Sequence, residues 1–162
     1  MNKLLLVALF LLIGAKLWAG EEVIEMSVAT VTIDPHTRAP VVVLRGEKEA
    51  VLPIVIGTAE ARAIALALDK VTVPRPMTHD LLSSLVEKLG ARVSKIFIHD
   101  LRDGIFFAQV ILIKNGERLI LDSRPSDAIA LALRTGSPII VAEKIVTRIT
   151  TPEVEVKERI WI

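Results

Sequence analysis

Six letters occur twice in this chain: Ala-Ile-Ala-Leu-Ala-Leu stands at Ala63 to Leu68 and again at Ala128 to Leu133. Each copy follows a pair of strand-like runs that turn at a glycine, in Arg45-Gly46-Glu47 and in Asn115-Gly116-Glu117. The turn glycine precedes the repeated isoleucine by 18 positions in the first copy and by 13 in the second. The pattern reads as two β-β-α units, the first five residues longer before its helix. The repeats are apolar on every side, so period alone does not separate helix from strand. Alanine and leucine favour helix, Gly136 offers a left-handed stop, and Arg134 suits the negative end of the macrodipole. Helices this apolar must be buried on most sides. Ala63 and Ala67, like Ala128 and Ala132, share a face that permits close backbone approach.

The remaining segments supply the sheet that such helices need. Val23 to Ile33, Val41 to Arg45 and Ala50 to Ile56 are rich in β-branched residues and read as strands. Pro53 places the third of them at an edge or a bulge. Thr58 is the expected cap of the first helix, which ends near Leu68 or Asp69. A proline-stiffened connector leads to a second helix capped by Thr78, with Met77 stapled to Leu82. There Leu81, Leu82, Leu85, Val86 and Leu89 form one apolar stripe, and Gly90 ends the helix. Val93 to Asp100, Ile105 to Lys114 and Glu117 to Leu121 continue the sheet, with the second of these expected at its centre. The third helix starts near Ser126, and Pro138 to Ala142 is the last firm strand. The order predicts an α+β domain, a mainly antiparallel sheet with three helices. The tail alternates weakly, and Val154, Val156, Ile160 and Ile162 suit an added edge strand.

The first 20 residues have the layout of an export signal: a basic start, an uncharged run from Leu4 to Ile13, then small residues up to Gly20. The run is too short for a spanning helix, although Lys16 and Trp18 leave an uncleaved anchor as an alternative. The expected organisation is a signal peptide over 1–20, one domain over 21–145 and a tail over 146–162. Export implies a periplasmic or secreted protein. With no cysteine, neither disulfides nor a lipoprotein anchor can form. Without Lys3 and Lys16, 18 basic residues face 19 acidic ones. A chain with that balance carries no overall basic footprint for nucleic acid, and its four mature aromatics supply a poor stacking platform.

No phosphate-binding glycine loop, zinc spacing or nucleophile elbow is present. What stands out is a set of acids at the ends of elements: Glu60, Asp80, Asp100, Asp103, Asp122 and Asp127, with Arg75, Arg102 and Arg124 nearby. Converging carboxylates would suit magnesium or manganese, arginines would hold a phosphodiester, and His79 could move a proton near neutral pH. The plainer reading is structural: acids in first helical turns complement the dipole, and the arginines pair with acids.

Four motifs in order carry a resemblance: Ile56-Gly57 with Glu60-Ala61, Pro74 to Leu81, Asp100 to Gly104, and Asp122 to Ala128. From about Val23 to Glu143 the chain resembles the bifunctional nuclease family. The resemblance implies a compact α+β domain and cleavage of RNA and DNA. Carried to these positions, it makes His79, Asp80, Asp100 and Asp127 candidate catalytic residues. Arg75, Arg102 and Arg124 become candidate substrate contacts, and Glu60, Asp80, Asp122 and Asp127 a candidate metal set. The rival expectation is a non-enzymatic binding or assembly module of the cell envelope. It rests on the near-neutral charge of the mature chain, its few aromatics and a 52% apolar composition, and it expects an exposed apolar face that forms a homo-oligomer or holds a partner.

Overall fold

The structure, a computed structural model, describes residues 22–47 and 49–148. Its strands are β1 (Val23–Ile33), β2 (Pro40–Gly46), β3 (Val51–Val55), β4 (Ala91–Arg102), β5 (Ile105–Lys114), β6 (Glu117–Ser123) and β7 (Ile139–Ala142). Its helices are α1 (Thr58–Leu68), α2 (Thr78–Lys88), α3 (Pro125–Thr135) and α4 (Glu143–Arg148). Both six-residue repeats are helical, in α1 and α3, and each helix follows an antiparallel hairpin. The fourth helix was not foreseen. Its fully buried Ile145 anchors a turn of chain that reads in sequence as weak alternation. The expected signal segment and the expected edge strand from Val154 onward lie outside the described residues.

The strands form one sheet in the order β3-β2-β1-β7-β4-β5-β6. Every pairing is antiparallel except that of β7 with β4. Pro53 lies on an edge strand, where a missing N–H costs no ladder bond. β5, expected at the centre, sits one place from the other edge, and the short β7 takes the middle. Asn115 and Gly116 turn the β5–β6 hairpin with φ of 51° and 82°, as a two-residue turn of that twist requires.

The helices cover one face of the sheet. α1 packs against β1 and β2, α3 against β4 and β5, and α3 also touches α1 and α2. α2 packs against α3 and β4. The core between the layers joins Val42, Leu44, Leu52 and Ile54 to Ile96, Ile98, Ala108, Val110 and Val141. The helices contribute Ala61, Ala63, Ile64 and the run from Ala128 to Ala132, all nearly inaccessible. Alanine supplies both facing surfaces, so α1 and α3 approach closely. Gly136, with φ of 65°, ends α3 in the left-handed cap expected of it.

The helix starts depart from expectation by one residue. Gly57 and Met77 are the extended cap residues, and neither Thr58 nor Thr78 caps with its side chain. Met77 is therefore at the cap rather than before it, and Leu82 stays 39% exposed, so the expected staple is not made. The larger correction concerns the stripe of α2. Val86 and the polar His79 are its buried residues, while Leu81, Leu85 and Leu89 are more than half exposed. Apolar periodicity marked a real face, but the face turned inward carries His79.

This inversion has a measurable consequence. Ile129→Ala, in the core of α3, is expected to lower unfolding free energy by about 2–5 kcal/mol. Leu85→Ala, on the exposed face of α2, should change it by no more than about 0.5 kcal/mol. Urea denaturation of the two variants checks both values.

Candidate active site

Three helices begin near one another, and each carries an acid in its first turn: Glu60, Asp80 and Asp127. Free N–H groups at a helix start favour anions there. Crowding such acids together would be costly without cations between them. Two arginines of the third helical segment supply these.

Arg124, the cap residue of α3, bridges two helices. Its Nη2 donates to Glu60 Oε1 at 2.7 Å and its Nε to Asp127 Oδ2 at 2.7 Å. Asp127 Oδ1 meets His79 Nε2 at 3.0 Å, which brings α2 into the same network. The geometry puts the proton of this bond on Nε2 when the ring is neutral. The other ring nitrogen, Nδ1, is buried with no hydrogen-bond partner. The outcome is a connected line, Glu60–Arg124–Asp127–His79, in which the Arg124 side chain is the exposed member at 65% and that of His79 the most buried at 9%. Gly57 leaves room for the fold-back of Glu60, whose carboxylate would collide with any Cβ there.

Arg134 serves Asp80. Its Nε donates to Asp80 Oδ1 at 2.5 Å, while its Nη1 donates to the carbonyls of Ala130 and Ala63. Asp80 Oδ2 also accepts from the Met77 N–H at 2.8 Å, closing the first turn of α2. In sequence Arg134 read as a favourable charge at a helix end and as a partner for an acid, without saying which. The stronger signal, a single cation inside an otherwise apolar buried helix, was available.

The other expected residues lie elsewhere. Asp100 and Asp122 share the sheet face turned away from the helices, as their registers opposite Phe107 and Gln109 require. Asp100 accepts from Arg102 Nε at 2.6 Å, and the Arg102 guanidinium stacks 4.9 Å from the Phe107 ring centre. Arg75 is exposed on the connector before α2. The expected metal set thus divides between the two faces. Among the described residues no three acidic, histidine or cysteine side chains gather closely enough to hold a metal ion. Glu60, Asp80 and Asp127 are already engaged by arginine, so this donor set does not fit a shared magnesium or manganese ion.

The charges of the network are fixed by their partners. Burial works to raise the pKa of Asp127, but the bonds from Arg124 and then His79 outweigh it and hold the carboxyl below its ordinary value. Burial likewise opposes ionisation of Asp80, and the Met77 N–H and Arg134 overcome it. The bond to Asp127, then that to Glu60, raises the pKa of Arg124 above its already high value.

A family profile for the bifunctional nuclease domain matches residues 42–153. An uncharacterized protein of Mycobacterium tuberculosis is 39% identical over 125 residues, 76% of this chain and 74% of the relative. Bifunctional nuclease 1 of Arabidopsis thaliana is 32% identical over 112 residues, 66% of this chain but 34% of the plant protein. Bifunctional nuclease 2 of Oryza sativa subsp. japonica is 32% identical over 107 residues, 63% of this chain and 33% of its own. The chain therefore spans about a third of the length of these plant relatives.

Asp80 and Asp127 have folded-state pKa values below their ordinary 3.8, so their contribution to stability is fully present above that value. It should drain away as pH falls through the depressed values. Denaturation midpoints measured from pH 7 down to pH 2 should show this acid loss, and Asp127→Asn should flatten part of it.

Proposed function

The chain belongs to the bifunctional nuclease domain family, and on that premise we propose that it hydrolyses phosphodiester bonds of RNA and DNA at the helix-end network. The observation that carries this reading is the arrangement around Arg124. Its exposed guanidinium is held between two carboxylates, with the His79–Asp127 pair directly behind it.

A guanidinium matches two oxygens of a phosphodiester, and Arg124 presents its head to solvent. An arriving phosphate competes with Glu60 and Asp127 for those donors. As Arg124 turns to the phosphate, Asp127 loses the bond that holds its pKa down and becomes a better base. Asp127 then accepts the proton of the attacking water. The new oxygen–phosphorus bond forms as the ester oxygen leaves, and the leaving oxygen takes a proton back from the pair. His79 keeps the carboxylate oriented through Nε2 and shares its charge. Arg75, exposed on the connector that leads into α2, is placed to reach a neighbouring phosphate, whereas Arg102 is held by Asp100 and Phe107 on the other sheet face. Asp80 supports the site by fixing α2 through Arg134. No step uses a metal ion, because the donor set does not fit one.

Action outside the cytoplasm is supported by the layout of residues 1–20. No helix among the described residues is long and apolar enough to cross a membrane. N-terminal sequencing of the protein from its host envelope should give Gly20 or Glu21; intact Met1 would indicate an anchor instead. The rival reading, an envelope assembly module, draws support from the exposed leucines of α2.

Cleavage assays on RNA and DNA, with magnesium, manganese or chelator, separate the readings. His79→Gln and Asp127→Asn are expected to lower kcat by about 10²–10⁴-fold. Arg124→Ala should act mainly through KM. Variants that are folded by circular dichroism yet cut at the wild-type rate would place the activity elsewhere, in a contaminant or another site. Absence of cutting by all of them, wild type included, would favour the assembly module.

A further inference from the structure

The two edges of the sheet are built differently. β3 carries Pro53, whereas β6, Glu-Arg-Leu-Ile-Leu-Asp-Ser from Glu117 to Ser123, has neither proline nor lysine. Its register with β5 runs without a bulge from Lys114↔Glu117 to Ala108↔Ser123. Among the described residues no strand pairs with its outer side. Leu119, Ile120 and Leu121 are 42%, 47% and 49% exposed. An edge without bulge, proline or lysine, apolar through its middle and charged only toward its ends, is a template for a strand whose charges complement it.

The sequence of β6 says which strand. The residues flanking a two-residue hairpin turn exchange hydrogen bonds, and the pattern then alternates. Glu117, Leu119, Leu121 and Ser123 therefore direct their backbone groups toward β5, while Arg118, Ile120 and Asp122 direct theirs outward. An antiparallel partner must set outward residues against outward residues. If the partner is β6 of a second copy, centred on Ile120, then Ile120 faces Ile120 and Arg118 of each copy faces Asp122 of the other. Leu119 faces Leu121 on the helix side of the junction. Sliding the register by two residues puts Arg118 or Asp122 opposite Ile120. Sliding it by four sets Arg118 on Arg118 or Asp122 on Asp122. One register satisfies hydrogen bonding, charge and apolar contact together.

We propose that the protein forms a twofold-symmetric dimer through antiparallel pairing of β6 with β6, making one continuous sheet across two copies. The same register sets the partner's Glu117 opposite Ser123 and brings its Asn115-Gly116 turn alongside Arg124. Two candidate sites thus lie on the same, helix-covered side of the joined sheet. The dimer does not depend on the proposed chemistry, and the measurement below is independent of nuclease activity.

Sedimentation velocity of the full-length chain over a concentration series gives the dissociation constant. Arg118→Asp sets like charges together at two symmetric positions and should weaken the dimer about tenfold or more. Asp122→Arg should do the same, and the double exchange R118D/D122R should restore wild-type affinity. A second measurement needs no variant: amide exchange at Arg118, Ile120 and Asp122 should slow as protein concentration rises. A monomer at high concentration would overturn the proposal, as would a dimer indifferent to both charge reversals. Exchange at those three amides that ignores concentration would overturn it even if the variants failed to fold.

Discussion

Arg134 is the interaction on which the arrangement of helices depends. Its guanidinium, 10% exposed, touches all three helices of the layer: Asp80 of α2, the Ala63 carbonyl of α1 and the Ala130 carbonyl of its own α3. Taking a cation out of water is expensive unless its donors are met by good acceptors. Here a carboxylate and two carbonyls meet them. The alanine faces of α1 and α3 allow the approach that brings the Ala63 carbonyl within reach. Apolar packing sets the distance between the helices, and the arginine selects their relative position along that packing, because sliding either helix would break a bond that water cannot replace.

That fixed layer explains how a connected line of charged side chains forms between its helices. Glu60, Asp127 and Asp80 belong to segments far apart in the chain, and each is independently favoured by its helix start. Bringing them together stores negative charge in one place. Arg124 and Arg134 neutralise it, but unequally: Arg134 is buried, while Arg124 faces solvent. One arginine holds the architecture and the other is available to a ligand. His79, buried beneath Asp127 with a free Nδ1, is the group with no purely structural accounting.

Much of the fold was legible because local chemistry specified it. Asn115-Gly116 announced its hairpin, Gly136 its helix stop, and Pro53 its edge. The class of fold and the likeness of its motifs to bifunctional nucleases followed from the same residues. What sequence misjudged was the orientation of α2. Periodicity shows that a helix has an apolar face, but not whether the chain's own core covers it, and His79 was drawn inward by a partner 48 residues away. The site was legible as a set of residue types and not as a grouping. Strand register decides that Asp122 faces away from Asp127, and no spacing in the sequence reveals it. The carboxylates looked like metal ligands because their arginine partners could not be assigned to them from sequence.

The position of β7 bears on how the chain acquires its shape. β1, β2 and β3 form one antiparallel set and β4, β5 and β6 another, each from neighbouring segments. Only β7, near the end of the described chain, joins them, pairing with β1 on one side and β4 on the other. Until that strand is available the two sets are joined only through the packing of α1 on α3, and the sheet is incomplete. Synthesis thus delivers the keystone late. A chain of this topology can complete its sheet only after most of it has been made.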